Sequence, residues 1–178
     1  MHTVFPAADL CTLKKELRKE LKKRLRDYSG KKEESLWILR EIQRSQVYQE
    51  ASVILAFSPL PSEPHISPRL DDPRINLPYI VDGKMKFAHG GNLQKNELGF
   101  LEPVVQEEVS YDKALMLVPM LGFDRTNLRL GRGGGYYDKY IASHKAKLYT
   151  MGVAYSVSLV DEVPVEWNDL RLDTIIHP

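Results

Sequence analysis

The residue types with the clearest chemistry lie in one stretch. Val118-Pro119-Met120-Leu121-Gly122-Phe123-Asp124, running on through Arg129-Leu130-Gly131-Arg132-Gly133-Gly134-Gly135-Tyr136-Tyr137-Asp138, holds five of the 11 glycines. Residues without a Cβ let the backbone approach a ligand, and the free N–H groups of a helix's first turn, with its dipole, favour an anion. Arg129 and Arg132 add guanidinium forks that match phosphate geometry. The chemistry suggested is a phosphate cradle; the alternative is a flexible loop with two solvated arginines. Neither common cradle fits. Tyr136 stands where the dinucleotide fingerprint requires its third glycine, and the Gly-Lys-Ser/Thr of the nucleotide-triphosphate loop is absent.

Other polar residues could join such a site. Lys14 and Arg18, at i, i+4, share one side of a helix and together can clamp a polyphosphate. Glu63, in a loop rich in proline, could accept a hydrogen bond from a ring N–H, or be a solvated acid. Asp138 reads either as an acid near a helix N-terminus or as a magnesium ligand. Tyr136 and Tyr137 either stack beside a substrate or pack. His65, His89 and His144 lack metal-ligand spacing and read as surface or hydrogen-bonded histidines.

These residues need a scaffold. Ala114 to Val118 is a continuous apolar run, as expected of a strand buried on both faces, and Tyr136, Tyr137, Tyr140 and Ile141 recur at helical spacing. The glycines therefore join a strand to a helix, which favours the cradle. From Asp9, read as an N-cap, Leu10, Leu13, Leu17, Leu21 and Leu25 form one stripe of a helix whose other faces are basic. That basic face is ordinarily a solvated one; nucleic acid and anionic lipid are the other readings. Ser29-Gly30 breaks the helix, and a second is predicted with Leu36, Leu39, Ile42 and Val47 inward and Trp37 and Tyr48 packing. Val53 to Phe57 reads as a strand ending in the loop Ser58 to Pro64. Arg74 to Ile80 and Lys84 to Ala88 read as strands of a hairpin turned by Asp82-Gly83, and Leu148 to Tyr155 as a further strand. The expected fold is α/β: one domain over residues 1–178, a three-layer sandwich with a mainly parallel central sheet flanked by helices, with residues 1–8 disordered.

Composition narrows the function. At 178 residues the chain suffices for one core, and Lys+Arg 25 against Asp+Glu 24 gives no overall reason to expect nucleic acid or a membrane surface. The single cysteine, Cys11, excludes an intramolecular disulfide framework. With no secretory leader and no long apolar run, the expected location is the cytoplasm, and the expected state a monomer acting on small molecules.

Pro119-x-x-Gly122-Phe123-Asp124 followed by Arg129-Leu130-Gly131-Arg132-Gly133-Gly134-Gly135-Tyr136-Tyr137-Asp138 closely resembles the signature of the 5-formyltetrahydrofolate cyclo-ligase family. Lys14-Lys15-Glu16-Leu17-Arg18 resembles the family's Lys-x-x-x-Arg in its first helix, and Gly99-Phe100-Leu101-Glu102-Pro103 and the tail Val163 to Ile176, with Asn168-Asp169, resemble the family too. The resemblance spans about residues 10 to 176. Two departures stand out: Pro64-His65-Ile66 runs quickly to Asp72-Pro73, leaving room for only a turn or two from Ser67-Pro68 where the family has a helix, and Ser158 replaces a frequent glutamine.

The resemblance implies ATP- and Mg²⁺-dependent closure of 5-formyltetrahydrofolate to 5,10-methenyltetrahydrofolate through a phosphorylated formyl oxygen, releasing ADP and phosphate. It implies that Lys14, Arg18, Arg129, Leu130, Gly131, Arg132, Gly133, Gly134, Gly135, Tyr136 and Tyr137 bind ATP, with Arg132 and Tyr137 catalytic. Ser58, Glu63 and Tyr136 would contact the folate, and Asp138 and Asp169 would hold Mg²⁺. The alternatives are a related ATP-dependent ligase or kinase acting on another pterin or amide, a nucleotide- or folate-binding module without turnover, and an RNA-binding protein, the last disfavoured by the balanced charge.

Overall fold

The computed structural model describes residues 7–66, 72–165 and 169–178. Its centre is a six-stranded sheet in the order β10-β9-β6-β1-β2-β3. The strands are β1 (Ile54–Leu55), β2 (Ile75–Val81), β3 (Lys84–His89), β6 (Ala114–Pro119), β9 (Leu148–Val153) and β10 (Thr174–Ile176). All neighbours are parallel except β2 and β3, which form the antiparallel edge. Asp82 and Gly83 turn that hairpin with φ of 50° and 69°, the paired positive values of a tight primed turn.

Successive strand residues feed opposite faces. Ile54, Leu115 and Leu117 pack with Leu21, Leu25, Ile38 and Ile42 of α1 (Ala7–Asp27) and α2 (Lys31–Arg44). Leu55, Met116 and Val118 pack with Tyr140 and Ile141 of α4 (Tyr136–His144) on the other side. The result is a helix, sheet, helix sandwich in which strands buried on both faces are uniformly apolar, as β6 is.

Several boundaries differ from those predicted. Helix α1 begins at Ala7, so Asp9 lies in its first turn and is not an N-cap, and Ala7 and Ala8 are helical; the rest of the expected disordered start lies outside the described residues. Strand β1 is two residues long, although Leu115 N–H donates to Val53 O and Ala56 N–H to Asn76 O beyond its ends. In α2 the inward stripe is Ser35, Ile38 and Ile42, whereas Leu36 and Trp37 are 50% and 41% exposed. A serine sits on the core face because Ser35 Oγ hydrogen-bonds the Tyr155 hydroxyl and accepts from the His65 amide. Ser45 then ends α2 and caps a separate short helix, α3 (Gln46–Glu50), which carries Val47 and Tyr48.

Between β6 and α4 lies an unpredicted hairpin of β7 (Gly122–Phe123) and β8 (Arg129–Leu130). Its turn is built by Asp124, buried, whose Oδ1 accepts from the Thr126 amide at 2.8 Å and whose Oδ2 accepts from the Val163 amide at 3.0 Å. A second small hairpin, β4 (Leu93–Lys95) with β5 (Leu101–Pro103), follows β3. The Ser67-Pro68 turn and Asn168 fall outside the described residues.

Candidate functional site

Strand β8 and the N-terminus of α4 bracket the glycine run. Arg129, its side chain 5% exposed, donates from Nη2 to Asp138 Oδ1 at 2.7 Å, and its guanidinium lies over the Tyr137 ring, 5.8 Å from the centroid. A Cβ on Gly131 would meet the Arg129 guanidinium at 2.9 Å, so that position admits little more than hydrogen. Gly131 O accepts from Arg18 Nε at 2.9 Å, which ties the basic helix to the turn. Gly133 has φ of 106° and Gly135 φ of 69°, the latter at the cap of α4. Two glycines of positive φ bend the backbone at the start of a nine-residue helix, whose first-turn N–H groups have no acceptor within the helix.

Arg132 reaches away from the turn to the loop after β1. Its Nε donates to Glu63 Oε1 at 2.8 Å and its Nη2 to Ser62 Oγ. Glu63, its side chain 5% exposed, has its second oxygen occupied by the Leu60 amide at 2.9 Å. A buried carboxylate is tolerated because both oxygens are hydrogen-bonded and one faces a permanent cation. Lys14 Nζ donates to Asp169 Oδ2 at 2.9 Å. Lys14, Arg129 and Arg132 thus each rest against a carboxylate.

These groups surround a cavity of about 370 Å³, within the usual range for small-molecule sites. One wall is Arg18, Arg129, Arg132 and the backbone of residues 131–135, with Asp138 at the rim. The apolar part of the lining is made by Phe57, Ile80, Met85, Leu98, Phe100 and Met120. Ser58, Glu63, Tyr136 and Tyr137 also line it. Of the residues predicted to bind, Lys14, Leu130 and Asp169 do not line the cavity. Leu130 cannot, because its side chain is buried in the core and its carbonyl accepts from the Leu121 amide. Lys14 and Asp169 meet each other instead.

The Tyr137 hydroxyl holds its proton. Burial first, then the negative charge of Glu63, push Tyr137 well above its ordinary value of 10.0, against the opposing pull of Arg129. Tyr137 is therefore a hydrogen-bond donor and not a base. Among the described residues no group of three or more His, Cys, Asp or Glu side chains could hold a metal ion, and no helix is long and apolar enough to cross a membrane.

The apolar wall was not read from the sequence. It includes residues of the β2–β3 hairpin and of the tip between β4 and β5, with Phe57 after β1 and Met120 after β6. Leu98 and Phe100 flank Gly99 in a turn, and large apolar residues beside a turn glycine were the available signal.

Comparison with known proteins agrees with this architecture. The model of the 5-formyltetrahydrofolate cyclo-ligase family matches residues 11–178. A 5-formyltetrahydrofolate cyclo-ligase of Mus musculus is 26% identical, over 96% of this chain and 96% of that protein. One of Mycoplasma pneumoniae is 41% identical over 61 residues, 34% of this chain and 37% of its own. The solved structure of an Aquifex aeolicus 5,10-methenyltetrahydrofolate synthetase, 24% identical, superposes with a TM-score of 0.78 over 93% of this chain and 89% of that one, and shares the fold.

Proposed function

Because the chain belongs to the 5-formyltetrahydrofolate cyclo-ligase family, whose enzymes close the formyl group of 5-formyltetrahydrofolate into a ring, we propose that its cavity does so with ATP, through a phosphorylated formyl oxygen. The observation that carries this reading is a cavity lined both by a cationic, glycine-rich set and by a set of large apolar side chains, with buried Glu63 beside Arg132. The first suits a polyphosphate and the second a flat ring system with N–H donors.

A formamide is a poor electrophile and its oxygen a poor leaving group. Attack of the formyl oxygen on the γ-phosphorus forms an O–P bond and expels ADP. The nitrogen at position 10 then adds to the activated carbon, the C–O bond breaks, and the nitrogen's proton leaves with phosphate. Each step redistributes negative charge on phosphoryl oxygens, so the protein's work is orientation and charge stabilisation. Arg18 and Arg129 hold the phosphates, with Lys14 completing the set once Asp169 is otherwise engaged. The N–H groups of residues 131–135 donate to the phosphate oxygens. Arg132 stabilises the phosphoryl in transfer. Glu63 accepts from the pterin ring, Ser58 and Tyr136 contact the folate, and the protonated Tyr137 hydroxyl donates.

The donor set bears on magnesium. A self-sufficient metal site is absent among the described residues, whereas Asp138, 57% exposed and bonded through Oδ1 to Arg129, lines the cavity. This fits Mg²⁺ arriving on nucleotide phosphates, held further by Asp138 and Asp169. When bound, the ion would neutralise phosphate charge. The test is absorbance of the methenyl chromophore from 5-formyltetrahydrofolate, ATP and Mg²⁺, with Arg132→Ala alongside. ATP-dependent chromophore lost in the variant supports the reading; formation without ATP, or none at all, overturns it.

A further inference from the structure

The tip joining β4 to β5 carries two of the apolar side chains that face the cavity, Leu98 and Phe100. Their backbone is organised by one residue. Asn96 Oδ1 accepts from the Leu98 amide at 3.0 Å and from the Phe100 amide at 3.3 Å. The Asn96 amide donates to Phe100 O at 3.0 Å, and Gly99, at φ of 90°, turns the chain and donates to Asn96 O at 3.1 Å. The carboxamide has a single orientation that serves these bonds, and Glu102 selects it. Asn96 Nδ2 donates to Glu102 Oε2 at 3.1 Å. Glu102 is buried, and its other oxygen accepts from Gln94 and Gln106 side-chain amides, each at 3.4 Å. At the far end of the tip, Leu101 N–H donates to Ser58 Oγ at 3.2 Å, anchoring it to the loop that bears Glu63.

We infer that Asn96, oriented by Glu102, is a positioning residue that holds Leu98 and Phe100 in place as the wall for the folate ring; this rests on the folate reading of the cavity. An acceptor that is charged holds the amide more firmly than a neutral one. A wall ordered before the ring arrives spares binding the cost of fixing two side chains and their loop. The cationic residues lie on α1, β8 and the glycine turn, so the effect is confined to one substrate.

The experiment is initial-rate kinetics on the full chain. Asn96→Ala is expected to raise KM for 5-formyltetrahydrofolate about tenfold, leaving kcat and the KM for ATP within about twofold. Asn96→Asp sets a carboxylate against Glu102 and gives a similar loss. Asn96→Asp combined with Glu102→Gln reverses the polarity, glutamine donating to aspartate, and returns the folate KM to near its starting value. Unchanged folate KM in Asn96→Ala overturns the inference. So does a joint loss of kcat and both KM values that the reversed pair fails to rescue. A wild-type protein that forms no chromophore fails the folate reading itself, a result separable from normal wild-type turnover with unmoved variants.

Discussion

Glu63 and Arg132 occupy one another: the Nε–H of Arg132 donates to Glu63 Oε1 at 2.8 Å, across 69 positions of chain. The carboxylate proposed to receive the pterin is the same one that holds the guanidinium proposed to stabilise the transferred phosphoryl. A ring N–H that donates to Glu63 competes with Arg132 and frees it towards the phosphates.

Arg132→Ala is accordingly expected to lower kcat by about 10²–10³-fold, the usual loss on removing one transition-state donor. In Glu63→Ala, Arg132 is released without folate, so phosphate release from ATP in the absence of folate should rise relative to the folate-dependent rate. A ratio unchanged from wild type would show that the two residues do not compete.

The cradle glycines should separate by conformation. Gly133, at φ of 106°, lies in a region that side chains rarely adopt, whereas Gly135, at φ of 69° with ψ of 6°, is left-handed, a conformation asparagine tolerates. Gly133→Ala should raise the KM for ATP and lower stability by about 1–3 kcal/mol. Gly135→Asn should cost well under half of that, measured by thermal unfolding with ATP titration.

Tyr137 tests the ring against the hydroxyl. Tyr137→Phe retains the surface beneath the Arg129 guanidinium, so the KM for ATP should stay within about twofold, while Tyr137→Ala should raise it further. Because burial pushes the hydroxyl upward, its ionisation does not enter the profile between about pH 6 and 9. The kcat profile of Tyr137→Phe should keep the wild-type shape there, and a lost alkaline limb would assign that limb to Tyr137.

Asp124 links the site to acid stability. Burial alone would raise its carboxyl, but hydrogen bonds from the Thr126 side chain and from the Val163, Thr126 and Leu128 backbone outweigh it and hold the group below its ordinary 3.8. A depressed folded value stabilises above the unfolded pKa, and that contribution is lost as pH falls through the folded one. Asp124→Asn should therefore lose about 1–3 kcal/mol near neutrality and show a flatter stability between about pH 5 and 3. Calorimetric Tm against pH measures both.

What could be read in advance follows from what carries a period or a turn. β6 was legible because six consecutive residues are buried, and the β2–β3 turn because Asp82-Gly83 suits paired positive φ. The β7–β8 hairpin was not, since two-residue strands have no alternation to detect. Leu36 was assigned inward because a core serine, Ser35, breaks the apolar count. Type and spacing grouped Arg18 with the glycines, and they do line one cavity, but their neighbours were not legible: which acid meets Arg132 or Lys14 is decided by folding, at separations of 69 and 155 positions. Leu130 carries the motif's position but a buried side chain, because a motif counts positions whereas a strand sends alternate side chains inward.

The pair of Lys14 with Asp169 also sets an order of events during synthesis. Lys14 lies on α1, and its partner is made 155 positions later. Leu21 of the same helix packs so tightly on Gly122 that a Cβ there would meet it at 2.5 Å. A growing chain must therefore keep Lys14 and the face of Leu21 that meets Gly122 waiting for partners made far later, while Leu21 and Leu25 can already share a core with Ile38 and Ile42 of α2. Ribosome-bound chains halted before and after residue 169 would expose that wait as a step in protease resistance of α1.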